Sequence, residues 1–310
     1  MKRVIVLALS LIIPLCVSCQ GKKEGKEAQL APLKLGAMSS LDYIPYVVAE
    51  ELGYTDSLGL DLEIVKFFSA NDRDAAFRSE QVDGTVIDYT GAMIQHAAGM
   101  PLSIVAKHDG YFEMMASADV ENMQDLKGKR VSVSRNTVIE YATDKMLEAT
   151  GLSVEEVEKP EVNKIPLRME MMVAGELEAS VFPDPFITIS KSKGFHSLSS
   201  TRDLGISVTG TIFNQKALGE KKASIQVLLV AYNLAVDYIN SHPKEDWANI
   251  LVKDAGIPEA LVNNVVLPQY THASLPSEKD LNETLSWLKS KSLVPENYSA
   301  EGLVAKDFLP

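Results

Sequence analysis

Cysteine is almost missing from this sequence: there are two in 310 residues, Cys16 and Cys19, both near the amino terminus. They cannot build a disulfide scaffold or a cysteine-rich metal site. Positive charge is also short. Thirty Lys and Arg stand against 42 Asp and Glu, a net charge of −12, and the basic residues form no stripe, which argues against nucleic acid as a partner. The five histidines, His96, His108, His196, His242 and His272, are scattered without metal-ligand spacing. There is no nucleophile elbow, phosphate loop, dinucleotide glycine motif or zinc-protease helix. No metal and no cofactor is expected, and any enzyme chemistry would have to rest on carboxylates. What remains is a globular composition: 46% hydrophobic and 23% charged residues are too apolar for disorder and too polar for a membrane-embedded bundle.

The amino terminus reads as an address. Lys2 and Arg3 precede an apolar run, Val4 to Val17, of 14 residues. A spanning helix needs about 20, so the run has the length of a secretion-signal core. Cys16-Val17-Ser18-Cys19 resembles the lipobox of bacterial lipoproteins, with Cys16 where leucine is usual. The resemblance implies a signal peptide at 1–18, cleavage before Cys19, and lipidation of Cys19. Both cysteines are then accounted for, and the exported part keeps 28 basic against 42 acidic residues, net −14. Residues 19–32 (Gly, Lys, Glu, Gln and Ala in the main) suit a solvated tether. Such a chain is anchored to a membrane, not threaded through it.

From Leu33 onward, short apolar runs alternate with helical patterns. Expected strands are Leu33–Ala37, Leu62–Phe67, Gly84–Ile87, Leu102–Ala106, Lys129–Ser134, Ala179–Phe182 and Ser207–Phe213. The alternation predicts an α/β fold with parallel sheets covered on both faces. After Asn214 helical stretches follow one another, over 223–240, 244–253, 258–266 and 278–289. One echo stands out. Val82-Asp83-Gly84-Thr85-Val86-Ile87-Asp88 parallels Leu177-Glu178-Ala179-Ser180-Val181-Phe182-Pro183, 95 residues later, each copy leaving its strand into a turn that carries an aspartate. Two lobes of similar topology would produce such an echo.

Several stretches, in order, carry a resemblance to a known family: Leu41-Asp42-Tyr43-Ile44-Pro45-Tyr46 through Leu52-Gly53-Tyr54; Leu58-Gly59-Leu60; Val82-Asp83-Gly84; Ala98-Gly99-Met100-Pro101-Leu102; Asp125-Leu126-Lys127-Gly128-Lys129; Ala174-Gly175-Glu176-Leu177; and Pro183-Asp184-Pro185-Phe186, where the family often has Glu-Pro. From Leu33 to Pro310 the chain resembles the type II periplasmic substrate-binding proteins of ABC importers, nearest the nitrate/sulfonate/taurine and thiamine-pyrimidine-precursor group. The resemblance implies two doubly wound sheets in two lobes, residues 33–108 with 210–310 and residues 109–209, joined by a double-crossover hinge near His108–Glu113 and Ser207–Thr211. It also implies a monomer that carries a small-molecule ligand to an ABC permease and its ATPase.

In open α/β sheets, ligands bind beyond the carboxyl ends of the strands. Four strand ends therefore supply the candidate ligand-binding residues: Ser39, Asp42, Tyr43 and Tyr46 after the first strand; Asp88, Tyr89 and Thr90 after Gly84–Ile87; Asn136 and Thr137 after Lys129–Ser134; and Asp184 after Ala179–Phe182. Two aspartates in one cleft favour a ligand with N–H donors or positive charge, such as an aminopyrimidine, unless Arg135 compensates for an anion such as sulfonate or nitrate. The tyrosines would stack on a flat ring. Thr137-Val138-Ile139-Glu140 has the spacing of a capping box. Glu113 and Tyr141 are second-rank candidates. Two other readings stay open: an enzyme on the same fold, and a subunit that hands its ligand-bound form to a membrane sensor.

Overall fold

The computed structural model describes residues 30–310. The signal peptide, Cys16, Cys19 and residues 19–29 of the tether lie outside the described residues. The chain begins β1 (Leu33–Met38), α1 (Ile44–Glu51), α2 (Tyr54–Ser57), β2 (Leu62–Phe67), α3 (Ala70–Arg78), β3 (Gly84–Asp88), α4 (Tyr89–Ala97) and β4 (Leu102–Lys107). It continues β5 (Phe112–Ala116), β6 (Val131–Ser132), α5 (Val138–Ala149), α6 (Ile165–Val173), β7 (Ala179–Pro183), α7 (Phe186–Ser192) and β8 (His196–Ser200). It ends β9 (Thr209–Asn214), α8 (Gln215–Glu220), α9 (Lys222–Ser241), α10 (Ala248–Lys253) and α11 (Glu278–Ser290). Among the described residues no helix is long and apolar enough to cross a membrane.

Two sheets form, in the orders β2-β1-β3-β9-β4 and β6-β7-β5-β8. The expected α/β architecture with two lobes is there, but its sheets are not purely parallel. β1 runs parallel to β2 and β3, and β6 parallel to β7. By contrast β9 is antiparallel to both β3 and β4, and β5 is antiparallel to both β7 and β8. Each antiparallel strand is the one by which the chain arrives from the other sheet: β5 follows β4, and β9 follows β8. An arriving strand inserts against the direction of its hosts and separates two strands that would otherwise be parallel neighbours. The internal echo falls on β3 and β7, each flanked by one parallel strand and one such inserted strand, so the repeated sequence marks equivalent places in the two sheets.

Local sequence explains where the expected elements changed. β5, Phe-Glu-Met-Met-Ala, is buried along its whole length, and its Met and Glu carry little β-propensity. β8, His-Ser-Leu-Ser-Ser, is a half-buried edge. Neither announces itself. The strand expected over 129–134 contracts to Val131–Ser132. The helix expected over 258–266 is a 3-10 turn at Glu259–Asn264.

The chain crosses between sheets at 108–111 and again at 201–208. Gly110 and Gly210 lie near these crossings for a reason other than free rotation. A Cβ on Gly210 would sit 2.6 Å from the Ala106 carbonyl oxygen, and one on Gly110 would sit 2.4 Å from the Asp42 Cβ. Both mark close approaches. The carboxyl-terminal helices cover the first sheet, with α9 packed on α1. α11 reaches across to α5, where Trp287 meets Tyr141 edge-on at 5.4 Å and Trp287 Nε1 donates to Asp144 at 3.0 Å.

Candidate functional site

A cavity of about 50 Å³ lies between the two sheets. At about 10–15 Å³ per water, it takes a few water-sized groups. Met38, Asp42, Asp88 and Thr209 close it from the first sheet's side, and Phe112, Ser134, Thr137, Arg168 and Pro183 from the second. A smaller adjoining space of about 10 Å³ shares Asp42, Phe112 and Pro183 with it and adds Tyr111 and Asp184. β1, β3 and β7 thus point their carboxyl ends at one place, where a fold of this type holds ligands.

The ten candidates divide. Asp42, Asp88 and Thr137 line the cavity, and Asp184 lines its neighbour. Thr137 also caps α5, its Oγ1 accepting from the Ile139 N–H at 3.2 Å. The Glu140 carboxylate accepts from the Asn136 N–H at 2.8 Å, one residue earlier than a capping box would have it. The other six line neither space. Ser39 donates its N–H to the Phe67 carbonyl, and Thr90 donates its hydroxyl to Asp88. Asn136 sits in a left-handed turn, φ 63°, beside Arg135 at a surface depression. The three tyrosines are core: Tyr43 donates to the Asp254 carbonyl at 2.9 Å, Tyr46 meets Thr211 at 2.9 Å, and Tyr89 meets Ser207 at 3.5 Å. A stacking role for them finds no support in this geometry. Of the second-rank pair, Glu113 forms an ion pair with Lys191 at 2.7 Å and Tyr141 packs on Trp287.

The electrostatics differ from the acidic cleft read from the sequence. Asp88 is committed. Its Oδ2 accepts from the Gly91 N–H at 3.0 Å and from the Thr90 hydroxyl, and its Oδ1 accepts from Arg73 Nη1 at 3.1 Å and Nη2 at 3.2 Å. Burial pushes its carboxyl up, but Arg73 and these hydrogen bonds outweigh that and hold it below its ordinary value. Asp184 goes the other way. Burial raises its carboxyl despite the Thr188 N–H at 2.9 Å, and its Oδ2 is buried without a partner. Asp42, 4% exposed, accepts from the Ser40 hydroxyl. Arg135 is no compensator: it pairs with Glu161 at 3.5 Å on the surface. The compensating cations are Arg73 and Arg168, both fully buried in the cavity wall.

Neither arginine was found from the sequence, although Arg168 left a signal. Ile165, Arg168, Met169 and Met172 are the buried residues of α6, so the arginine lies on the apolar stripe of an amphipathic helix. A charged residue on such a stripe is out of place unless something meets it.

A family model described as NMT1/THI5 like matches residues 40–246. A curated relative, a putative thiamine biosynthesis protein of Haemophilus influenzae, is 24% identical over 219 residues, covering 66% of this chain and 68% of its own length. Among solved structures, the alkanesulfonate-binding protein SsuA from Xanthomonas axonopodis pv. citri, bound to MOPS, superposes with a TM-score of 0.76 at 17% identity, over 90% of this chain and 99% of that one. The desulfurization enzyme DSZB superposes with a TM-score of 0.67 at 12% identity, over 89% and 97%. At these identities the structures establish the fold alone: a periplasmic-binding-protein fold that carries both binding proteins and an enzyme.

Proposed function

The chain belongs to the NMT1/THI5-like family, and from that premise we propose that it is a solute receptor of an ABC importer, tethered by lipid on Cys19 and working as a monomer outside the cytoplasmic membrane. It captures one small organic solute between its lobes and presents the closed form to the permease. The observation that carries this reading is the cavity itself, whose walls come from both sheets at their strand ends. One molecule can satisfy both walls only when the lobes are together, so binding and closure are the same event. Asp42, and Asp184 next door, offer acceptors for N–H donors of the solute, which an aminopyrimidine would supply. The name of the Haemophilus relative points the same way.

An enzyme on this fold is the competing reading, and one experiment separates the two. Full-length protein is melted in the presence of pyrimidines, amines, carboxylates, sulfonates, flavins and nitrate, and each compound is then recovered and analysed. A receptor gives a shift with one class of solute, equivalent to about 2.7 kcal/mol at a hundred times the dissociation constant, and returns that solute unchanged in stoichiometric amount. Catalytic conversion of the stabilising compound would replace the receptor by an enzyme.

A further inference from the structure

Arg168 is buried, charged and incompletely used. Its Nη1 donates to the Val162 carbonyl at 2.9 Å, and its guanidinium lies 5.5 Å from the centre of the Phe182 ring. Nε and Nη2 are shut off from solvent and meet no acceptor among the described residues. Burial pulls its pKa down to about 9, so it is still a cation at neutral pH. Arg73, the other cavity arginine, is spent on Asp74 and Asp88 at 2.8 and 3.1 Å. The cavity wall therefore includes one guanidinium with unspent donors, beside apolar Met38, Phe112 and Ile165 and polar Asp42, Ser134 and Asn163.

The two free nitrogens share one edge of the guanidinium. Their N–H bonds run parallel at the spacing of two oxygens on one planar group, which is how arginine grips a carboxylate side-on. If stability were the only demand, an apolar residue of similar volume would do better there, since a buried charge without a partner is a liability. We propose that Arg168 is a carboxylate-binding subsite, and that the solute is a small organic acid whose carboxylate docks on Nε and Nη2. The assignment rests on the receptor reading above and adds the class of solute: an acid end for Arg168 and a donor end for Asp42.

The test uses three probes that share one ethyl group on full-length protein at constant ionic strength: propionate, its neutral isostere propionamide, and ethanesulfonate. Propionate raises the melting temperature of the wild type, propionamide does not, and ethanesulfonate binds about tenfold more weakly, the difference expected when a planar two-oxygen fit is lost. In Arg168→Met the propionate response disappears while the melting temperature without probe stays the same or rises. Four results would overturn the subsite: no propionate response in the wild type, an equal response to propionamide, retention of the response in the variant, or a fall of several degrees in the variant's own melting temperature, which marks a structural arginine. A tighter response to ethanesulfonate would overturn the carboxylate assignment. All of these are distinct from failure of the receptor reading, which shows as wild-type protein that no compound of the broader solute panel stabilises.

Discussion

Arg73→Leu lowers the folding stability by about 3–5 kcal/mol, the usual result of taking one partner from a buried ion pair and leaving the other charged in the interior. Asp88 cannot turn to water: its side chain is 3% exposed, as is that of Arg73, and the same carboxylate caps α4 through Gly91. Neutralising it inside the fold relieves the charge, so Arg73→Leu with Asp88→Asn recovers a large part of the loss, because asparagine still caps the helix. Urea unfolding of the three proteins measures this directly. A loss below 1 kcal/mol for Arg73→Leu, or no recovery in the double variant, would show that the pair is screened by water and does not hold the cavity wall.

The second large effect concerns acid. His108 lies at the first crossing between sheets, with Nε2 2.6 Å from the Thr211 Oγ1 and with Nδ1 buried and unpartnered. Tyr46 and Tyr232 flank its ring at 5.5 and 5.8 Å. Burial lowers its pKa to about 4, and Lys107 adds to the fall while Asp42 and Asp109 oppose it. The unfolded chain, with an ordinary histidine value near 6.5, therefore binds the proton more readily than the fold does. Stability is complete above about pH 6.5, falls as the pH drops, and is down by about 3 kcal/mol near pH 4. Asp184, its carboxyl raised by burial, contributes with the opposite sign. The comparison is therefore made between wild type and His108→Gln, which carries no titrating side chain at position 108 and leaves the other groups in place. The difference in their unfolding free energies changes by about 3 kcal/mol between pH 7 and 4; a constant difference would mean that His108 takes up its proton in the fold as readily as in the unfolded chain.

Much of this site was legible in the sequence, and the rest was hidden for identifiable reasons. Strand ends can be read from apolar runs, and the fold type says that ligands gather there, so Asp42, Asp88, Thr137 and Asp184 were named without coordinates. Tyr43, Tyr46 and Tyr89 were named by the same rule and went to the core, because a tyrosine at a helix start reads alike whether its ring faces a cleft or a neighbouring helix. Their hydroxyls found partners at Asp254, Thr211 and Ser207, which lie more than a hundred residues away and which no local pattern discloses. The balance of charge was misjudged for a related reason. Arg73 reaches Asp88 across 15 residues of sequence, and Arg168 comes from an element outside the four strand-end loops. Its place on the apolar stripe of α6 was the one visible sign. The antiparallel direction of β5 and β9 escaped because direction within a sheet depends on where the chain crosses, which hydrophobic alternation does not encode.

Hydrogen exchange on full-length protein, with and without the solute found by melting, shows directly whether loops of both sheets close together on one solute. Exchange slows at 38–43, 134–139, 163–168 and 183–184 together, saturating at one solute per chain. Slowing confined to one sheet's loops, or to an outer face away from Asp42 and Arg168, would contradict it.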